Sequence, residues 1–278
     1  MDVSAAHAAS LPETDGRWRP ASFPRDELLR ATVEGGIAGV VSHPLDNVLR
    51  HIRRMCEGDP GFQFGLSGLT SFSPEQVLAL VSDASGFIPA EGARDGAFRV
   101  EAERILDACG AAGDRLAEAC RRGERMIVAT GHPHGPGKQN GLVLLYSALA
   151  AEVEGRGAKI LRPSAGGEWT EDGSLLSVRY LNGVAMLTEN GRPVHTHSGE
   201  PMVRMLEEAT PELVFADHGF AGTAIERGIE TISVADVNDP ALLVAKEQGR
   251  TDIVIVMDDN VRAEAYWPCF QEIVARLP

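Results

Sequence analysis

Aromatic side chains make up only 5% of this 278-residue sequence, while glycine reaches 30 residues, a balance that fits close-packed α/β units better than a β-sandwich. Cysteine is equally sparse. Cys56, Cys109, Cys120 and Cys269 are scattered with no CxxC pair, which argues against a disulfide framework or a cysteine zinc site and points to the reduced thiols of a cytoplasmic protein. No apolar run approaches the length of a membrane span, and the first residues lack the basic stretch followed by an apolar one that marks a secretory signal. Positive charge is short as well. With 26 Lys and Arg against 40 Asp and Glu, the formal charge is −14, which argues against binding nucleic-acid backbone or anionic membrane. A divalent cation held by local carboxylates reverses that field, so a small phosphorylated metabolite remains an admissible partner. Homo-oligomerisation is left open.

The chain divides into a mobile tail (residues 1–25), a helical N-terminal region (26–123) packed on the core, and a Rossmann-like α/β catalytic domain (124–278) with a mostly parallel sheet flanked by helices. The tail is rich in Ala, Ser and Pro and has little periodicity. Helical spacing follows in ELLRATVEGGIAG and LDNVLRHIRRMCEG, broken at His43-Pro44, because the residue before proline disfavours helix. Ser73, Pro74 and Gln76 form a helix-start signature that Gly86 can close, and FRVEAERILDACGAAGDRLAEACRRGE reads as one long helix. At Arg125 the pattern changes to a short β-branched run, MIVAT, then a Gly-rich turn, a helix and the strand AKILRP, which together make a right-handed βαβ unit. Asn182-Gly183 signals a hairpin. Residues 212–241 then give strand, turn, helix, strand, turn and the start of another helix, with the first helix expected to begin around Phe220 to Gly222.

Four predicted strand ends carry polar clusters: Thr130 to His134, His195 to Ser198, Asp217-His218 with Asp236 to Asp239, and Asp258 to Asn260. A parallel sheet brings such ends to one edge, where ligands of open α/β sheets bind. On chemistry, Asp217, Asp236 and Asp258 are candidate oxygen ligands of Mg²⁺ or Mn²⁺, with Asn238 assisting, and His132, His195 and His197 are candidate acid-base or anion-binding groups, with Asp217 in the catalytic set. Gly131, His134, Lys138, His218 and Asn47 are candidate substrate contacts; the glycine-rich turn lets backbone N–H groups approach an anion. Plainer roles compete with these. Asp239, followed by Pro240, is expected to start a helix as its N-cap. Asp258 and Asp259 fit a solvated turn equally well, Lys138 fits a solvated helix start, Ser198 fits a cap, and Asn47 and His51, one helical turn apart, fit an exposed helix face.

The strings ATGHPHG, HTHSGEPM, ADHGFAG, ADVNDPAL and MDDNV, in this order and at these intervals, resemble an actinobacterial family of proteins known as phosphatases. The likeness runs from about Leu28 to the C-terminus. It implies a cytoplasmic phosphomonoesterase-like α/β enzyme and assigns no catalytic residues. One departure is the long turn GHPHGPGKQNGLVLL, where the family pattern is a shorter GHPxGLL. With that resemblance, the strand-end cluster suggests metal-assisted hydrolysis of a phosphate ester on a sugar or nucleotide by direct attack of water, since the DxDx(T/V) arrangement of a covalent aspartyl route is absent. The alternatives are a carbon–oxygen lyase or cyclase acting on a small carboxylate and a metabolite-binding sensor.

Overall fold

A computed structural model describes residues 22–134 and 141–278, so the expectation for Lys138 and most of the tail fall outside the described residues. The N-terminal region is helical: α1 (Arg25–Glu34), α2 (Leu45–Cys56), α3 (Pro60–Gln63), α4 (Pro74–Ser85) and α5 (Ala102–Arg122). Ser73 and Gln76 form the reciprocal capping box over α4, and α4 and α5 stop at the left-handed glycines Gly86 and Gly123. Two short strands interrupt the expected helices. β1 (Gly39–Val40) pairs antiparallel with β2 (Arg99–Val100), so α1 ends five residues before Gly39 and α5 starts only at Ala102. A two-residue strand has no periodicity for a sequence to display.

From residue 125 the chain builds the main sheet from β3 (Arg125–Thr130), β4 (Lys159–Ile160), β5 (Glu168–Glu171), β6 (Ser174–Leu181), β7 (Val184–Glu189), β8 (Arg192–Pro193), β9 (Leu213–Asp217), β10 (Thr231–Ala235) and β11 (Ile253–Val256). The helices between and after them are α6 (Leu142–Gly155), α7 (Glu200–Glu208), α8 (His218–Glu226), α9 (Pro240–Glu247) and α10 (Trp267–Val274). The main path runs β11-β10-β9-β3-β7-β6-β5. Pairings from β11 to β7 are parallel, whereas β5 to β8 pair antiparallel. Asn182 and Gly183, both with positive φ, close the β6–β7 hairpin. Every residue of β9 and β10 is buried, as expected of strands covered on both faces, which read as continuous apolar runs rather than alternation. Among the described residues no helix is long and apolar enough to cross a membrane.

The chain leaves β3 for β4 and β7 on one side and later returns to β9 on the other. Strand order therefore reverses between β3 and β9, and the turns after them diverge around a crevice at the carboxyl edge of the sheet. Two features close its walls. Leu45, Val48, Ile52 and Met55 on α2 are buried at helical spacing, each worth about 1.5–3 kcal/mol of burial, and they fix that helix with Asn47 and His51 turned toward the crevice. On the sheet side α8 presses on the segment carrying His197: a Cβ on Gly219 would lie 2.3 Å from the His197 carbonyl oxygen and 2.4 Å from the Ser198 carbonyl carbon. Both are backbone atoms, so neither can swing away. Gly219→Ala is expected to destabilise by about 1–3 kcal/mol, as overpacking does, lowering the thermal midpoint by several degrees while displacing His197 and His218. An unchanged midpoint would show that the close approach is not rigid.

Candidate active site

The crevice holds a cavity of about 300 Å³ into which six of the chain's eight histidines converge: His43, His51, His132, His195, His197 and His218. Asp239, Asp259, Asn47 and Asn238 complete most of the wall, and no lysine or arginine among the described residues lines it. A larger groove of about 690 Å³ lies beside Trp169 and Arg204, but it contains none of these histidines.

Four of the imidazoles are anchored in the same way. His43 Nδ1 lies 2.9 Å from Asp236 Oδ2, His51 Nδ1 2.9 Å from the Asn238 carbonyl oxygen, His197 Nδ1 2.6 Å from the Gly61 carbonyl oxygen, and His218 Nδ1 2.8 Å from Asp217 Oδ1. Carbonyl oxygens and carboxylates only accept, so in each ring Nδ1 carries the hydrogen, and Nε2 is the nitrogen left for the cavity. A carbonyl or carboxylate behind the imidazole is the usual support of a metal-binding or proton-moving histidine. His218 is held with φ at 45°, a left-handed conformation uncommon for a side chain of this size and characteristic of positions where backbone strain serves a site.

The other notable contacts are close without being hydrogen bonds. His132 Nδ1 is buried and makes no hydrogen bond, although it stands 3.1 Å from Asp259 Oδ2. His218 Nε2 lies 3.4 Å from Asp239 Oδ2 and 3.8 Å from Asp259 Oδ2. Atoms bound to one ion at about 2.1 Å sit roughly 3.0–3.4 Å from each other, which the first two spacings match and the third, at 3.8 Å, exceeds. His218 with Asp239 and Asp259 makes one candidate ligand group, and it is shared with a second: the ligand atoms of His132, His195 and His218 all lie within 4.8 Å of one another, and the His195 ring stacks on His132 at 4.5 Å. The acidic and histidine groupings can hold a metal ion.

Electrostatics support the same fit. Asp217, Asp236, Asp239, Asp258 and Asp259 are each no more than 4% exposed. Burial raises the Asp259 pKa well above the ordinary carboxylate range, reinforced by the charges of Asp236, Asp239 and Asp217, and burial with the Asp236 charge also raises Asp258. His195 is exposed as a residue, yet partial desolvation of its ring and the neighbouring His218, His132 and His197 push it below the ordinary imidazole range, so one ring nitrogen keeps its lone pair for a cation at neutral pH. Burial likewise lowers His197 and His51. In His43 and His218 burial is outweighed by the adjacent aspartates, and both rise to about 9. The buried carboxyl groups thus outnumber the two imidazolium groups, an imbalance that a divalent cation would reduce.

The sequence candidates separate into two layers. His132, His195, His197, His218, Asn47 and Asn238 line the cavity. Asp217, Asp236 and Asp258 stand behind it. Asp217 accepts from the Thr130 hydroxyl (2.6 Å), the Gly131 N–H (2.6 Å) and His218. Asp236 accepts from the Val237 and Asp259 N–H groups and His43, while Asp258 accepts from the Ser42 N–H and hydroxyl and the Asn260 N–H. Their oxygens already accept these hydrogen bonds, and Asp236 and Asp258 also form with His43 a group whose ligand atoms lie within 4.8 Å of one another. Gly131 ties two turns together through its carbonyl, which accepts from the Thr196 N–H; a Cβ there would lie 2.4 Å from the Thr196 oxygen. His134 follows β3 without lining the cavity. Asp239 does occupy the N-cap position of α9 with Pro240 behind it, yet its side chain makes no capping bond, and it turns to His218 instead. The helix before it starts at His218, two residues ahead of the expected point.

Sequence reasoning passed over His43 except as a helix breaker, and it favoured Asp258 over Asp259. The paired aspartates were a usable signal, because successive residues in extended chain point to opposite sides. His43 had none, lying more than eighty residues before the first main-sheet strand.

An α/β fold with a mostly parallel sheet, carrying a histidine- and aspartate-rich cavity at the carboxyl edge where strand order reverses, defines an enzyme-like class with groupings that can hold a metal ion. The family model described as Phosphatase matches residues 23–278, and the chain belongs to that family. It is also 34% identical over 255 residues to Phosphatase SCO2771 of Streptomyces coelicolor, an alignment covering 89% of this chain and 94% of that protein. The actinobacterial resemblance carried by the five motifs is therefore correct.

Proposed function

We propose that the protein hydrolyses a phosphomonoester of a small metabolite, a sugar phosphate or nucleotide, using a divalent cation held by His132, His218, Asp239 and Asp259, with His195 beside them. The observation that carries this reading is the approach of His132 Nδ1 to Asp259 and of His218 Nε2 to Asp239 and Asp259, with His132 Nδ1 left without a hydrogen bond. Imidazole mixed with carboxylate suits Mn²⁺ better than Mg²⁺, which prefers an all-oxygen shell. When bound, the cation supplies Lewis-acid polarisation of the phosphoryl oxygens and an acidified water.

The chain's own residues supply orientation and proton transfer. Asp217 fixes the tautomer and angle of His218 from behind. His197, neutral and anchored through Nδ1, presents Nε2 as an acceptor for a proton from the attacking water. Asn47 and Asn238, bonded to each other at 3.0 Å, form a neutral polar wall against which the ester's organic part can orient. With no lysine or arginine among the described lining residues, phosphate charge has to be met by the cation and by imidazolium.

Purified protein should release inorganic phosphate from at least one member of a phosphomonoester panel with Mn²⁺, lose that activity in chelator and regain it when Mn²⁺ is restored. Activity that survives exhaustive chelation would rule out the metal-assisted reading.

A further inference from the structure

The turn that enters α2 brings one histidine into the cavity from outside the main sheet. His43 lies between β1 and α2, lines the cavity, and is bonded through Nδ1 to Asp236 at 2.9 Å. Asp236 is 1% exposed and is itself fixed by the N–H groups of Val237 at 2.5 Å and Asp259 at 3.2 Å. Because the carboxylate can only accept, the ring hydrogen on Nδ1 is committed to it, and Nε2 on the opposite side of the ring is the atom that meets a ligand. Ser42 next to it is locked to Asp258 through both its N–H and its hydroxyl, at 2.5 and 2.9 Å, so the backbone that carries His43 is tied to the turn after β11. Buried carboxylate, imidazole and cavity in that order form an aspartate–histidine pair of the kind that moves protons.

The geometry points to His43 as the proton donor to the leaving oxygen of the ester, with Asp236 as its positioning residue. This rests on the phosphomonoester reading above. In the step, the water oxygen forms a bond to phosphorus as the bond from phosphorus to the ester oxygen breaks. The electron pair of that bond goes to the ester oxygen, which takes the proton from His43 Nε2 and leaves as an alcohol. The proton from the attacking water passes to His197. Exchange with solvent then returns His43 to its protonated and His197 to its neutral form.

A proton donor is read by how a variant depends on the leaving group. An alkyl phosphate needs a proton on its departing oxygen, whereas p-nitrophenyl phosphate releases a stable phenolate without one. In the full-length protein with Mn²⁺, His43→Gln should lower kcat/KM for the alkyl phosphate by about 10²–10⁴-fold, the usual contribution of general acid catalysis, and for p-nitrophenyl phosphate by less than about tenfold. Asp236→Asn should shift the ratio of the two activities in the same sense. Bound Mn²⁺ and the thermal midpoint of His43→Gln should match the parent protein. Equal losses on both esters would overturn the assignment, as would loss of the bound cation, which would make His43 a ligand. A parent protein that releases phosphate from neither ester would instead sink the phosphomonoester reading, and the assignment with it.

Discussion

Asp259→Asn should weaken divalent-cation binding by more than about 100-fold, beyond what losing a supporting hydrogen bond typically costs. It should also lower phosphate release by about 10³-fold, because several kcal/mol of charge stabilisation go with the cation at about 1.4 kcal/mol per tenfold in rate. The metal-free protein should nevertheless be as stable as before or more so. Asp259 is buried at 3% exposure, and its carboxylate is pushed toward the protonated form by burial and by Asp236, Asp239 and Asp217. A neutral amide removes that repulsion and gives His132 Nδ1 a partner in place of an oxygen that it faces without a hydrogen bond. A residue kept at a cost to the metal-free fold is one retained for what it binds. Titration calorimetry with Mn²⁺ and melting of the chelated protein check both halves; a marked drop in metal-free stability would mean that Asp259 is structural.

Asp217→Asn should behave in the opposite way. Three donors converge on Asp217, from Thr130, Gly131 and His218, and an asparagine offers one acceptor oxygen and an amide group that would face a donor. Breaking a buried charged pair costs about 3–5 kcal/mol, so the metal-free protein should melt far earlier. Cation affinity should fall by about 10–100-fold, because His218 loses the support that aims Nε2. A stable variant unable to hold Mn²⁺ at all would make Asp217 a direct ligand, as the sequence had suggested.

That contrast shows where sequence reading succeeds and where it stops. The strands Leu213–Asp217 and Thr231–Ala235 are legible because burial on both faces leaves short, mainly apolar runs in which the polar residues are few. The turns after them are legible as a site because parallel strands bring their carboxyl ends to one edge. Which carboxylate faces inward is not, since it depends on the path of the chain after the strand. Asp258 bonds Ser42 behind the wall while Asp259 beside it faces His132, and Asp239 sits where an N-cap belongs but points at His218. His43 and His51 enter from the N-terminal helical region, and only tertiary packing brings them within reach of Asp236 and Asn238.

The most direct measurement is anomalous scattering from crystals grown with Mn²⁺. A single dominant peak should lie about 2.0–2.4 Å from His132 Nδ1, His218 Nε2 and a carboxylate oxygen of each of Asp239 and Asp259. A peak bound instead by Asp217, or by His43 with Asp236 and Asp258, or no peak in the cavity, would contradict the metal-assisted site.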